Sequence, residues 1–323
     1  MEITDADLVD VPRQLKQHQR LLVRLVRPQI GFSPAEAGQP TRPGASRIGG
    51  DPDLPPGAAW PTAADGSLVP FAFQINLDQL ATQFPGVLPF GPRPGLLQFY
   101  TAFVDRGGDW RRYLDQAGGH NQLVLHRDLT DLRPATGPAP VQPGQVLLPT
   151  GPPGLSLPNY LELDQPREPT DPHLELLEIL DADADADDED LDDVEDLTED
   201  DDEDEDQEHA EDLVYVYEDW RDFGEHNNSG TLAGGYPGWL QDPAYVEAAI
   251  ADAGLTPDEL RPKPDTPEAA ALRGRIRADA ARWRLVFQVG SLCGDDGCFY
   301  LLAPLDPAGH YDLDRIRHIY QCT

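Results

Sequence analysis

The sequence predicts an α+β protein built mainly from antiparallel strands, with a few peripheral helices. Proline and glycine are abundant, at 33 and 29 of 323 residues, which favours short elements joined by many turns. The apolar runs 283–289 and 299–303 flank a glycine-containing turn, as the two arms of an antiparallel hairpin do. Helix-like spacing is confined to a few short segments: 4–17, 77–84, 174–180, 244–253 and 266–281.

The N-terminal segment is predicted to contain one helix and one strand. Residues 4–17 have an apolar face at helical spacing, and Thr4 is a suitable N-cap. Residues 20–30 combine leucines with β-branched side chains, which favours a strand ended by Pro28 and Gly31.

The most distinctive stretch is 46–80, a turn-rich loop that leads into a strand. Its first part is dense in Gly and Pro, which indicates an ordered irregular loop that Trp60 can anchor. Residues 70–77 then alternate as a half-buried strand does, and the alternation places Gln74 and Asn76 on the face opposite the aromatic residues.

The remaining elements follow from composition and flanking turns. Strands are predicted at 95–104, 121–126, 146–148, 213–217, 283–289, 299–303 and 316–322. The Pro/Gly-rich segment 132–158 is otherwise predicted to be surface loop, and a second glycine and aromatic loop spans 227–239. Pro243 and the Thr266-Pro267-Glu268 sequence mark the starts of the last helices.

Charge is concentrated in one tract. The chain carries a formal net charge of −35, and residues 181–212 supply 22 acidic residues and no Lys or Arg, which leaves −13 for the rest. Such a tract cannot bury enough apolar surface to offset its chain entropy, so we predict one domain over 1–323 with a disordered acidic insertion at 181–212. The insertion is interpreted either as a solubilising segment or as a docking tail for a basic protein partner.

Composition also excludes several function classes. No basic cluster suits nucleic-acid phosphates, and no apolar run is long enough to span a membrane. The acidic start of the chain does not resemble a signal peptide, and three cysteines in a large chain fit reduced thiols, so we expect a cytoplasmic protein. We find no metal-ligand spacing, P-loop, dinucleotide fingerprint or nucleophile elbow, and expect no cofactor and no metal.

Two halves of the chain echo each other. In each, a glycine and aromatic loop precedes a strand with a central glutamine, Gln74 in F-x-F-Q-I and Gln288 in L-V-F-Q-V. Each is followed by another glutamine-bearing strand, with Gln98 and Gln321, which suggests two related β units facing one another.

These amides and the neighbouring aromatic and charged residues are the candidate ligand-binding residues. They are Arg47, Trp60, Gln74, Asn76, Gln98, Tyr236, Gln288, Asp295 and Gln321. Buried amides need partners on both oxygen and nitrogen, so the alternatives are a polar pocket and the satisfaction of loop backbone atoms. The aromatic residues are interpreted either as one wall of a site or as core anchors of the loops.

Ordered motifs along the chain resemble the YwqG-like family of bacterial proteins. They are S-R-I-G-G-x-P-x-L-P-x-G-x-x-W-P at Ser46–Pro61, F-x-F-Q-I-N-L at Phe71–Leu77, G-L-L-Q-F-Y at Gly95–Tyr100, G-G-Y-P at Gly234–Pro237, W-R-L-V-F-Q-V at Trp283–Val289 and I-Y-Q-C at Ile319–Cys322. Asp295 and Asp296 match the family's G-D-x-G turn, although Cys293 stands where the family often has an aromatic residue.

We therefore expect a cytosolic, non-catalytic binding protein. The resemblance implies a sharper form, an immunity-type partner of a basic toxin, because genes of this family can neighbour toxin systems. The alternative is a small-molecule-binding protein or enzyme whose glutamine- and asparagine-lined pocket lies between the two β units.

Overall fold

The computed structural model describes residues 3–36, 42–102, 119–138, 141–163, 171–188, 213–223, 230–256, 266–290, 292 and 297–322. The strands are β1 (Arg27–Pro34), β2 (Arg47–Ile48), β3 (Asp53–Leu54), β4 (Phe71–Asn76), β5 (Leu96–Thr101), β6 (Asn121–His126), β7 (Arg133–Pro134), β8 (Gln145–Pro149), β9 (Gly154–Ser156), β10 (Leu232–Gly234), β11 (Trp283–Gly290), β12 (Cys298–Pro304) and β13 (Arg317–Gln321). The helices are α1 (Gln19–Leu25), α2 (Leu77–Gln83), α3 (Tyr160–Leu163), α4 (Pro172–Asp188), α5 (Leu213–Phe223), α6 (Tyr245–Asp252) and α7 (Pro267–Ala280). Antiparallel pairing dominates, so the predicted fold class is confirmed.

The chain divides into two compact units. The first comprises Pro28–Gly154 and Ser229–Thr323, and the second comprises Glu2–Arg27 and Leu155–Asn228. A division into compact units does not test the prediction of one domain over 1–323, which stays a prediction.

The first unit is organised by one large antiparallel sheet. Its strand order is β13-β12-β11-β10-β1-β8-β2-β4-β5-β6. The order repeats about its centre, because β10 to β13 on one side of the β1·β8 pair correspond to β2, β4, β5 and β6 on the other. We refer to β2, β4, β5 and β6 as the first repeat and to β10, β11, β12 and β13 as the second.

The two repeats pack face to face. The rings of Phe73 on β4 and Phe287 on β11 are 5.6 Å apart between centroids, and those of Phe99 on β5 and Phe299 on β12 are 5.1 Å apart. All four side chains lie in one buried cluster, which forms the main core of this unit. The sequence expectation of two β units facing one another is therefore confirmed.

The strand β4 is buried on both faces, whereas its alternation predicted a half-buried strand. Phe71 to Ile75 are all buried, including Gln74 at 0 % exposure. The second face is covered by the loop that carries β2 and β3, whose backbone bonds the polar side chains of β4. A covering loop of this kind leaves no periodic signal in the strand itself.

The second unit is helical. It contains short 3₁₀ helices at Asp5–Asp7 and Arg13–His18, together with α1, α3, α4 and α5. Its core is an apolar cluster that includes Leu15, Leu22, Leu176 and Tyr217.

Three sequence predictions fail in this unit. The helix expected at 4–17 is replaced by the two 3₁₀ segments, because Pro12 is extended and the residue before a proline avoids helical geometry. The strand predicted at 20–30 begins only at Arg27, and Gln19–Leu25 is α1. The strand predicted at 213–217 is wrong, since α5 spans Leu213–Phe223.

The strand prediction at 213–217 fails because the window was too short. In α5 the buried residues Leu213, Val216, Tyr217 and Trp220 follow helical spacing, which becomes visible only beyond residue 217. A five-residue window that contains valines and tyrosines favours a strand, and the longer window favours the amphipathic helix that packs in the core.

The helix α4 continues through the first eight residues of the acidic tract, to Asp188, and the disordered insertion at 181–212 stays a prediction. Alanines, the strongest helix formers, alternate with acidic residues there, and the helix extends from a buried stretch that includes Leu176 and Leu180. The rest of the tract lies outside the described residues.

Candidate binding cleft

Gln74 fastens the loop of the first repeat to the sheet. Its Nε2 donates to the Ala45 carbonyl at 2.8 Å, and its Oε1 accepts from the Asp53 backbone N–H at 3.0 Å. Gln98, its cross-strand neighbour on β5, donates to the Asp53 carbonyl at 2.7 Å. We call this arrangement the first glutamine clasp.

Gln288 makes the same contacts in the second repeat. Its Nε2 donates to the Gly230 carbonyl at 3.0 Å, and its Oε1 accepts from the Gly238 backbone N–H at 2.9 Å. The Tyr300 hydroxyl, on the neighbouring strand β12, donates to the Gly238 carbonyl at 2.6 Å. This is the second glutamine clasp.

The register of the strands shows that the two clasps are equivalent. Gln74 faces Arg47 on β2, and Gln288 faces Leu232 on β10. Two glycines with positive φ begin two positions after each of these residues: φ is 66° and 69° at Gly49 and Gly50, and 72° at both Gly234 and Gly235. Glycine reaches this left-handed region without a Cβ penalty, so the same tight turn forms in both repeats.

The equivalence corrects the pairing suggested by the sequence. By register, the counterpart of Gln98 is Tyr300 and not Gln321, because Gln74 faces Gln98 and Gln288 faces Tyr300. Gln321 corresponds instead to His126 on β6. The Gln98 amide and the Tyr300 hydroxyl each donate to a loop carbonyl. Because the two residue types differ, a comparison of the two sequence segments does not show that the positions are equivalent.

Gln321 also bonds loop backbone. Its Oε1 accepts from the backbone N–H groups of Leu240 and Gln241 at 3.1 Å each, and its Nε2 donates to the Asp242 carbonyl at 2.8 Å. Asn76 caps α2, because its side chain accepts from the Gln79 N–H at 2.8 Å. The hydrogen bonds of these amides thus support the interpretation in which they satisfy loop backbone atoms.

The first repeat contains a buried ion pair that its counterpart lacks. Arg47 and Asp53 are 8 % and 0 % exposed, and the Arg47 guanidinium contacts the Asp53 carboxylate. Burial lowers the pKa of Arg47. Within the described ranges, Arg47 Nε and Asp53 Oδ1 make no hydrogen bond. The equivalent positions in the second repeat are Leu232 and Gly238, so the second clasp forms without such a pair.

The aromatic candidates anchor loops. Trp60 donates from Nε1 to the Val69 carbonyl at 2.8 Å and packs edge-on against Tyr100. Tyr236 is 1 % exposed, and Trp239 packs against Tyr300 with centroids 4.7 Å apart. Asp295 lies outside the described residues.

A cleft of about 440 Å³ lies between β6 and the segment that carries β13. We call it the terminal-strand cleft, since these are the two end strands of the sheet. Its lining residues are Leu97, Asn121, Leu123, Leu125, Ala251, Leu313, Asp314, Ile316, Arg317 and His318. The cleft does not include any of the candidate residues predicted from sequence.

The cleft is lined by aliphatic side chains and by polar groups, and most of its exposed surface is polar. Leu123 and His318 occupy equivalent positions in the two repeats. Leu123 faces Phe99, the residue after Gln98, and His318 faces Leu301, the residue after Tyr300. The His318 ring packs against Phe99, and burial lowers its pKa to about 4, with Arg317 adding to the shift. His318 is therefore neutral at pH 7 and offers one donor and one acceptor. Arg317 is held by Asp252 at 2.7 Å.

The sequence contains one signal for the cleft. Asn121, Leu123 and Leu125 alternate along a predicted strand and therefore share a face. Their partners near His318 are almost two hundred positions away, and only the three-dimensional arrangement of the sheet brings the two together.

The chain belongs to the family described as Domain of unknown function (DUF1963), whose model matches residues 46–322. This span includes both clasps and the terminal-strand cleft. A search of curated proteins finds no match. Among the described residues, no helix is both long and apolar enough to cross a membrane. Within the same ranges, no group of three or more His, Cys, Asp or Glu side chains is placed to hold a metal ion.

Proposed function

We propose that this protein acts by binding a basic partner protein. The observation that carries the proposal is its acidity: the net charge is −35, and −13 remains when residues 181–212 are set aside. A charge of this size attracts basic proteins over about 8 Å at physiological ionic strength and accelerates their association.

The resemblance to the YwqG-like family gives this proposal a finer form. Such a partner would be a basic toxin, and the protein would neutralise it as an immunity protein does. Charge complementarity of this kind raises the rate of encounter and suppresses binding to acidic proteins.

The terminal-strand cleft supplies a surface on which a partner can be held after encounter. Leu123 and Leu125, which are half-buried, provide apolar area whose burial gives affinity that salt does not screen. Charge would thus guide the partner, and the cleft would retain one of its side chains or segments.

Co-purification from the native host tests the proposal. The tagged protein is expected to retain a basic protein at about 50 mM salt and to lose most of it at about 500 mM, because screening weakens the charge interaction. A matched variant with the acidic residues of 189–212 changed to Asn and Gln should retain less. If no salt-sensitive protein partner is retained, the proposal is wrong.

The size of the cleft favours a second candidate, a small-molecule-binding protein. A volume of about 440 Å³ falls within the range of ligand sites, and neutral His318 could bond a polar group of an otherwise apolar ligand. Thermal-shift screening of metabolites tests this candidate. A ligand at a hundredfold its Kd adds about 2.7 kcal/mol to the free energy of unfolding, and the variant Leu123→Trp, which fills the cleft, should abolish the shift.

A further inference from the structure

The open edge of β6 has the geometry to accept another strand. The Ala102 N–H donates to the His120 carbonyl at 2.9 Å, and the β5·β6 register continues without a break from there. In an antiparallel pair, residues alternate between those that bond the neighbouring strand and those that point away from it. The backbone groups of Leu123 and Leu125 therefore point away from β5, toward the edge of the sheet.

The same two residues line the terminal-strand cleft with their side chains. In the part of the chain that the structure describes, no strand pairs with the outer side of β6. A strand added there would bond Leu123 and Leu125 through its backbone and would direct alternate side chains into the cleft.

Residues 121–126 carry none of three common features that block such pairing. Natural edge strands are commonly blocked by Lys, Pro or a β-bulge. The sequence of β6, N-Q-L-V-L-H, contains neither residue, and its six pairs with β5 are in continuous register. At the opposite end of the sheet, the side chain of Gln321, the last residue of β13, is bonded to the loop that includes Leu240 and Asp242.

We infer that an extended segment of the basic partner adds to β6 as a further strand, with its apolar side chains in the terminal-strand cleft and its basic side chains outward. The inference rests on the proposed function and names how the partner is held. The occupant follows from charge and pattern together: the acidic protein favours a basic segment, and the half-buried side chains of Leu123 and Leu125 favour apolar residues at every second position.

Peptide binding tests the inference directly. The probes are nine-residue peptides in which Val, Ile, Leu or Phe alternates with Lys, labelled for fluorescence anisotropy. At least one should bind with a Kd below about 1 mM, an affinity of roughly 4 kcal/mol. If none binds the intact protein, the inference is wrong.

N-methylation separates strand addition from simple charge attraction. Two forms of the bound peptide carry methyl groups on alternate backbone nitrogens, one on the apolar residues and one on the lysines. Because alternate N–H groups of a strand point to opposite sides, one form should lose at least tenfold in affinity and the other should not. Equal affinity of both forms would contradict strand addition.

Amide exchange and a pair of variants locate the contact. Binding should slow hydrogen exchange at the Leu123 and Leu125 amides by at least tenfold, and unchanged exchange would overturn the inference. Leu123→Lys should weaken binding at least tenfold, whereas Leu148→Lys, at an exposed position on β8, should leave it unchanged. If the peptide tests fail while salt-sensitive binding of the partner persists, only the strand inference falls. If the partner binding itself is absent, the proposed function falls.

Discussion

Phe73 and Phe287 occupy the same position in the two repeats, and their ring centroids lie 5.6 Å apart at the centre of the shared core. Each phenylalanine immediately precedes a clasp glutamine, Gln74 or Gln288, on the same strand. One position thus packs the two repeats together, and the next fastens the covering loop. The repeats provide internal controls for several predictions.

Loss of either clasp should destabilise the fold. Gln74→Leu and Gln288→Leu each leave backbone groups of a covering loop without partners, and each unsatisfied buried group costs about 1–3 kcal/mol. Gln74→Leu should cost more, because Gln74 Nε2 also bonds the buried Asp53 carboxylate at 2.8 Å. Urea denaturation measures the free energies of unfolding. The exposed control Gln83→Leu should change stability by less than about 0.5 kcal/mol; equal stability of all three variants would remove the structural role of the clasps.

Gly49 should tolerate no side chain. Its φ is +66°, and a Cβ there would collide with the Gln142 carbonyl oxygen. Gly57 has a similar φ of +79° with open space around it, so Gly57→Ala pays only the backbone cost of about 1–2 kcal/mol. We expect Gly49→Ala to lower the Tm by clearly more than Gly57→Ala in a thermal melt. Equal melting temperatures would show that the close approach to Gln142 is unimportant.

The buried ion pair should show strong coupling in a double-mutant cycle. Arg47→Leu or Asp53→Asn alone leaves an uncompensated buried group, which typically costs about 3–5 kcal/mol. The double variant should be less destabilised than the sum of the singles by at least about 1 kcal/mol, since the second repeat has leucine at the position of Arg47. Additive losses in urea denaturation would mean that the pair does not act as a unit.

Stability should fall as the pH drops from about 6.5 toward 4. Burial lowers the pKa of His318 to about 4, so between these values the unfolded chain binds the additional proton and unfolding is favoured. The loss from this group is about 3 kcal/mol at most. The charged groups that line the cleft with His318 are Asp314 and Arg317, both on the same segment of the chain. His318→Leu, which copies Leu123 of the other repeat, should reduce the difference in stability between pH 7 and pH 4.5.

A control histidine makes that result specific. His310→Leu changes a side chain that is 44 % exposed, and it should leave the pH dependence as in the unmodified protein. If His318→Leu and His310→Leu give the same profile as the original chain, burial of His318 does not govern acid sensitivity.

The acidic tract should be the first site of limited proteolysis. Cleavage is expected within 189–212, where acidic residues are dense and apolar residues few, and the two fragments should remain associated. Mass spectrometry of the early fragments identifies the cut. Lasting protection of that segment would contradict the predicted disorder.

The sequence predicts an element correctly where the pattern of side chains that defines it lies within its own residues. The strand β6 was expected at 121–126, where it lies, and the start of α7 was expected from Thr266, whose side chain accepts from the Ala269 N–H. The N-terminal 3₁₀ segments differ from the predicted helix because Pro12 interrupts it. The helix α5 was not predicted because its helical spacing shows only in a window longer than five residues. The repeat was visible as two F-Q motifs, but the equivalence of Gln98 and Tyr300 depends on register. The terminal-strand cleft forms where the two end strands of the sheet approach each other, and no short sequence pattern predicts this approach.

Chemical-shift mapping of the bound partner, or of a bound peptide, tests the account most directly, because it reports where on the protein binding occurs. The account predicts that the largest shifts lie along β6 and the start of β13, at Leu123, Leu125 and His318. The loops at 44–54 and 234–239, which the clasps hold, should show small changes. Shifts concentrated in those loops, with β6 unaffected, would contradict the assignment of the terminal-strand cleft as the binding site.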